Sequence, residues 1–284
     1  MKILKVLVLG ATGRIGSVLR RSWMQGNTAD GVIWQARRPQ AGPGWHVFDP
    51  LSGQEVAAGS KALMQAAQGC DRILCLAGAI PGRQQDLADN TRLARAAILA
   101  GAEVGAGVLL CSSVAVYGAQ DGVLDEASAL RPVAPYGQAK LEMEQAGQAL
   151  GQQLGVAVTA LRIANVAGCD AILGGWAPGF ALDRFADGTT PRRSYIGPQT
   201  LARVLWDLTQ ARDLPPVLNV AAPGAVEMGA LLDAAGLAWT PRPAPPEAIA
   251  RVEVATGALS AFTRLEARDS LPEHLIAQWR SSAA

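Results

Sequence analysis

The sequence predicts a doubly wound α/β fold: a parallel Rossmann-type sheet with helices on both faces. Three observations carry that expectation. Short apolar runs alternate with helix-length stretches through the first 165 residues, the rhythm of repeated βαβ units. Most of those runs are continuously apolar rather than alternating, as strands covered on both faces should be. The first run leads straight into a glycine-rich turn, Gly10-Ala-Thr-Gly13-Arg-Ile-Gly16, which opens the first helical stretch.

The strand candidates in that part are Ile3–Leu9, Val32–Gln35, His46–Phe48, Arg72–Leu76, Val108–Ser112 and Val156–Arg162. Between them, Arg14–Gln25, Gly59–Gln68, Asp86–Ala100 and Tyr136–Gly151 have helical length and composition. After Asn165 the rhythm breaks. Ala167–Pro191 is rich in Gly, Pro and Trp and reads as loop. Leu201, Val204, Leu205 and Leu208 mark one more amphipathic helix, and Val217–Val220 one more strand. Pro241–Pro246 is broken by prolines, and His274–Arg280, opened by Pro272, is the last helix candidate. No internal repeat is present. The organisation expected is a sheet-forming unit over 1–165, completed by about 195–222, with 166–194 and 223–284 forming a small lobe.

Composition narrows the classes. Half of the 284 residues are hydrophobic, 17% are charged and the net charge is +1. This describes a globular chain with no electrostatic case for nucleic acid or an anionic membrane as partner. No apolar stretch approaches 18 residues, and no N-terminal segment resembles a signal peptide, so a cytoplasmic protein is expected. Cys70, Cys75, Cys111 and Cys169 lack metal-ligand spacing, and His46 and His274 stand alone, so no metal site is expected. Cys75 and Cys111 read as buried strand cysteines.

The glycine turn carries the first functional signal. Glycines there allow a tight turn, close approach of backbone to a pyrophosphate and close helix–strand packing, with a helix N-terminus facing the anion. Gly10, Thr12, Gly13, Arg14, Ile15 and Gly16 are therefore cofactor-binding candidates. The end of the second strand reads Gln35-Ala36-Arg37-Arg38-Pro39, with no carboxylate for a ribose hydroxyl. Arg37 and Arg38 suit a 2′-phosphate instead. NADP(H) is the preferred cofactor, with NAD(H) the alternative. Arg14 either adds to that phosphate site or caps the helix.

The second signal is Tyr136, four residues ahead of Lys140. The chain holds three tyrosines and four lysines, so the pairing is conspicuous. On a helix, a spacing of four stacks them on one face, and an ammonium beside a phenol favours the phenolate. Ser112 and Ser113 follow the fifth strand, at the sheet end where ligands of open α/β sheets bind.

Together these segments resemble an extended short-chain dehydrogenase/reductase of the NAD(P)-dependent epimerase/dehydratase branch. The similarity extends to about Ala222. It is carried by the Gly10–Gly16 loop, Ser113-Val-Ala-Val-Tyr-Gly118, Tyr136-Gly-Gln-Ala-Lys140, Leu161-Arg-Ile-Ala-Asn165-Val-Ala-Gly168 and Val217-Leu-Asn-Val-Ala. The resemblance implies a sheet of about seven strands with a small C-terminal substrate lobe. It implies Tyr136 as general acid/base, Lys140 lowering the Tyr136 pKa and bonding the nicotinamide ribose, and Ser113 orienting the reacting oxygen. Ser112 is the fallback, though alternation along the strand turns it the other way. Asp49 would contact adenine, Leu76, Ala77 and Gly78 would line the cofactor, and Asn165 and Arg193 would meet the substrate. Asn90 matches a family asparagine, although at the start of its helix an N-cap role reads more strongly. Homodimerisation through helices beside the Tyr136 segment is implied as well.

Two departures stand out. The segment Arg193-Ser-Tyr-Ile-Gly197-Pro-Gln199-Thr200 lacks the histidine and both acids of the family pattern, and the late region is short. The reduced lobe leaves room for a smaller sugar, lactone or carbonyl compound in place of a nucleotide sugar. The activity expected is hydride transfer between nicotinamide and a hydroxyl or carbonyl carbon, with net redox ahead of epimerisation or dehydration. The alternative is a non-catalytic NADP(H)-binding sensor on the same scaffold.

Overall fold

The computed structural model describes residues 3–26, 31–52, 60–80, 86–120 and 122–283. The first half runs β1 (Val6–Leu9), α1 (Arg14–Gln25), β2 (Val32–Ala36), β3 (Trp45–Val47), α2 (Lys61–Ala67), β4 (Arg72–Cys75), α3 (Asp89–Val104), β5 (Gly107–Ser113), β6 (Val123–Leu124) and α4 (Pro135–Leu154). The second half runs β7 (Val158–Ile163), β8 (Asn165–Val166), β9 (Ala181–Arg184), β10 (Arg192–Arg193), β11 (Tyr195–Ile196), α5 (Pro198–Gln210), β12 (Val217–Val220), β13 (Val226–Glu227), α6 (Met228–Ala234), β14 (Thr240–Pro243), β15 (Arg251–Val254) and α7 (Pro272–Ala283).

Seven strands form one sheet in the order β12-β7-β5-β4-β1-β2-β3, with every pairing parallel. The first strand shows why the sequence makes such a sheet. Its side chains alternate between two apolar layers: Val6 and Val8 join a core with Leu19 and Trp23 of α1 and Leu201 and Leu205 of α5. Leu7 and Leu9 join Leu63 of α2, Ile98 of α3 and Met143 of α4. Each fully buried aliphatic side chain contributes about 1.5–3 kcal/mol, so a strand apolar at every position is stable only between two helical layers.

The chain moves outward from β1 to β2 and β3, then returns to β4 on the other side of β1. That reversal opens a crevice beyond the carboxyl ends of β1 and β4. The remaining strands form a four-stranded sheet, β13-β10-β15-β6, and two pairs, β11-β8 and β14-β9.

The main sheet lies where the apolar runs predict it, and α1 has the expected bounds. The late region differs. The expected loop 167–191 contains β9, which pairs with β14, and β14 falls in the proline-punctuated stretch. All four residues of β14 are exposed, so its prolines forfeit no interior ladder bond. Gly59 of the second expected helix, and Asp121, lie outside the described residues. Among the described residues no helix is long and apolar enough to cross a membrane.

Candidate active site

A cleft of about 910 Å³ opens over the crevice between β1 and β4. Its floor begins at Gly10, whose φ of +79° is the left-handed region that favours glycine. A side chain there would also strike the backbone nitrogen of Ala77 at 2.6 Å. Gly13 precedes α1 and brings no capping side chain, which leaves the N–H groups of the first helical turn free to face an anion. Thr12, Ile15 and Gly16 line the same wall, and Leu76, Ala77 and Gly78 line it from the end of β4.

Gln35 fastens this turn. Its Oε1 accepts from the Gly10 N–H at 2.9 Å, and its Nε2 donates to the Phe48 carbonyl at 2.6 Å. Arg37 and Asp49 line the cleft on this side, and an Asp49 carboxylate oxygen accepts from the Leu51 N–H. Arg38 is exposed and absent from the cleft wall. Arg14 lines the cleft, but its Nη1 donates to the Cys169 carbonyl at 2.6 Å. It bridges the glycine turn to the opposite wall and does not cap its helix.

Ser113, Tyr136 and Lys140 meet on the facing wall. Ser113 ends β5, where its hydroxyl accepts from the Ala115 N–H at 3.2 Å and lies near enough to the Tyr136 phenol to lower its pKa. Pro135 opens α4 and places Tyr136 in its first turn. Lys140 is buried, its Nζ donating to the Cys111 carbonyl at 2.7 Å and lying 5.8 Å from the Tyr136 ring centroid.

Burial pushes the Tyr136 phenol well above its usual range, the Cys111 thiol adds to the rise, and the Ser113 hydroxyl opposes it. The expected lowering by Lys140 is thus not the balance in the chain by itself. The ammonium is desolvated too: burial lowers the Lys140 pKa, while Cys111, Cys75 and Glu144 favour its charge. Burial thus holds the Tyr136 phenol in its neutral form. Ser112 also lines the cleft, and its hydroxyl bonds the Glu144 carboxylate.

Asn90 is not an N-cap. It is the second residue of α3, whose cap position is Ala88. Its Nδ2 donates to the Ala79 and Leu87 carbonyls, which leaves Oδ1 buried without a partner. A side chain at Gly78 would approach that Oδ1 at 2.7 Å and Lys140 Nζ at 3.3 Å, so Gly78 keeps open the space both atoms face.

On the substrate side, Asn165, Cys169 and Asp170 line the cleft. The Tyr195 hydroxyl donates to Asp170 Oδ2 at 2.7 Å. Arg193 does not line the cleft. Its guanidinium donates to the backbone carbonyls of Arg192, Ala250 and Ile249, which ties β10 to the segment before β15. Gln35, Asp170 and Glu144 were missed from sequence. A polar residue inside an otherwise apolar strand was the one available signal for Gln35.

The bare glycine turn, the uncapped helix start, and the gap at Gly78 beside an unpartnered acceptor fit a dinucleotide. The chain matches the sequence profile of the NAD dependent epimerase/dehydratase family over residues 6–221. It belongs to that family and is an enzyme of the NAD dependent epimerase/dehydratase type. No curated protein matches it in sequence.

Among solved structures, MoeE5 in complex with UDP-glucuronic acid and NAD is 24% identical, with 99% of this chain and 100% of that one covered and a TM-score of 0.78. UDP-glucuronic acid 4-epimerase from Bacillus cereus, with UDP-glucuronic acid and NAD, is 18% identical, with 99% of each chain covered and a TM-score of 0.76. DesIV, a dTDP-glucose 4,6-dehydratase from Streptomyces venezuelae with NAD and TYD bound, is 19% identical, covered 98% and 97%, at a TM-score of 0.72. These likenesses are in the fold.

Proposed function

We propose that this protein transfers hydride between a nicotinamide cofactor and a hydroxyl or carbonyl carbon of a sugar-like substrate. The observation that carries the reading is the convergence of Ser113, Tyr136 and Lys140 on the cleft that also holds the glycine turn. A nicotinamide bound there supplies the hydride acceptor or donor. Tyr136, kept protonated by burial, gives its proton to a carbonyl oxygen in reduction and takes it back in oxidation. Ser113, beside that phenol, holds the reacting oxygen. Lys140 places a positive charge behind the phenol and stabilises the phenolate whenever the proton has left. Asn165 and Asp170 meet the substrate's hydroxyl groups. Residues 1–165, completed by 195–222, serve the cofactor, and 166–194 with 223–284 serve the substrate.

For the cofactor, Arg37 at the cleft edge and the absence of a carboxylate at the end of β2 support NADP(H). The solved relatives named above that carry NAD make NAD(H) the competing choice. The substrate class to test first is the nucleotide sugar, beside unactivated sugars and lactones. The experiment incubates enzyme and NAD+ or NADP+ with UDP-glucuronic acid, UDP-glucose, dTDP-glucose and free sugars, following products by NMR. Conversion of at least one, reduced ~100-fold or more by Tyr136→Phe, is expected. Cofactor binding with no conversion of any compound favours a sensor.

A further inference from the structure

Glu144 lies one helical turn beyond Lys140 on α4 and is 4% exposed. Its carboxylate accepts from the Ser112 hydroxyl, from Arg162 Nε at 3.2 Å to each oxygen, and from Arg162 Nη2 at 2.8 Å. Ser112 and Arg162 are register partners on β5 and β7, so both reach the same face of the sheet and meet the helix there. Arg162 then donates to the Tyr117 hydroxyl at 2.9 Å. Tyr117 in turn donates to Asn219 Oδ1 at 2.7 Å, and the guanidinium lies 4.9 Å over its ring.

An ion pair this deeply buried is seldom more stabilising than apolar side chains of the same size. Its placement suggests another use. Ser112 adjoins Ser113, and Tyr117 closes the short turn that Ser113 opens. The helix is thereby fastened to the end of β5 at two adjacent residues: Lys140 Nζ to the Cys111 carbonyl and Glu144 to Ser112.

We propose that Glu144 is a positioning residue: held by Arg162, its carboxylate fixes α4 against the end of β5 and so sets where Lys140 and Tyr136 lie relative to Ser113. This rests on reading that trio as the acid–base site. Charge supports it. Lys140 faces Cys75 from β4, Cys111 from β5, and Tyr136 and Glu144 from its own helix, while Arg162 lies behind Glu144. Burial pushes the Cys75 thiol up to about 12, raises Cys111 and raises Tyr136. Among these groups Glu144 is the carboxylate, one helical turn from Lys140, and it favours the lysine's charge.

The test labels lysine with 13C at Cε. Lys2, Lys5, Lys61 and Lys140 give four signals, and Lys140→Met identifies the fourth. The Lys140 titration midpoint should fall by ~1–3 units in Glu144→Gln, the effect of losing a close opposite charge. It should fall less in the double variant Glu144→Met/Arg162→Met, which leaves no unpaired charge and carries the test if the single variant does not fold. Ser112→Ala, which cuts only the tie to β5, should lower kcat ~10- to 100-fold on whichever nucleotide sugar is converted, with KM unchanged. A Lys140 midpoint unmoved in every folded Glu144 variant, or full kcat in Ser112→Ala, overturns the proposal. Because the titration needs no substrate, a shifted midpoint in a protein that converts nothing sinks the enzymatic reading and leaves the coupling. An unshifted midpoint in an active enzyme sinks the coupling alone.

Discussion

Gln35→Leu is the substitution whose cost follows most directly from the structure. Gln35 is 2% exposed and joins the two parts of the dinucleotide cradle, accepting from Gly10 N–H at 2.9 Å and donating to the Phe48 carbonyl at 2.6 Å. Leucine fills similar space and leaves both backbone groups without these partners. A buried group left unsatisfied costs ~1–3 kcal/mol, so two cost ~2–6. Gly10 borders the cleft, where water can replace part of the loss, and leucine adds apolar burial. The expected loss is therefore about 2–3 kcal/mol. Urea unfolding followed by tryptophan fluorescence measures it, because Trp23, Trp34 and Trp206 cluster beside the same strand; the midpoint should fall at constant m. Cofactor affinity should fall with it. Gln35→Glu provides the pH control. Its carboxylate can accept from Gly10 but can donate to Phe48 only when protonated, so its folded pKa rises above the unfolded ~4.3. Its stabilising contribution is present below that value and lost as pH rises through the folded pKa. A leucine variant within ~0.5 kcal/mol of the wild type, binding cofactor equally well, would refute the reasoning.

Other expectations follow from the same geometry. Lys140→Met should stabilise the cofactor-free protein, since burial lowers the lysine's pKa from 10.5. That gain is full below the folded pKa and shrinks as pH rises towards 10.5, the sign required when the unfolded state binds the extra proton; chemical denaturation across pH measures it. Arg37→Ala should weaken NADPH binding ~10-fold or more relative to NADH, and Arg38→Ala should change neither, both read by fluorescence titration. Gly78→Ala should weaken cofactor binding, because the new methyl would meet Asn90 Oδ1 at 2.7 Å; calorimetric titration would register the loss.

What the sequence discloses tracks the range of the interactions. Helix α1 is legible because its apolar period and its glycine neighbours are local, and Tyr136 with Lys140 because one helix carries both. The strands of the late region span two to four residues, too few to express a period, and the prolines of β14 argue against a strand until its exposed position is seen. Gln35 and Glu144 acquire their partners only through tertiary contact, and Asp170 its bond to Tyr195. Arg193 shows the converse: its side chain is consumed by three backbone carbonyls, which no motif reveals. Asn90 was read as a cap because position suggested it, whereas packing turns its amide towards Ala79.

The most direct measurement mixes the NAD+- or NADP+-loaded enzyme with excess UDP-glucuronic acid or UDP-glucose in a stopped-flow instrument and follows absorbance at 340 nm. The wild type should show a rise from reduced cofactor with at least one of these compounds, and Tyr136→Phe should lose it while binding the cofactor with unchanged affinity. An equal rise in the phenylalanine variant would contradict the assignment of Tyr136 as the acid–base group.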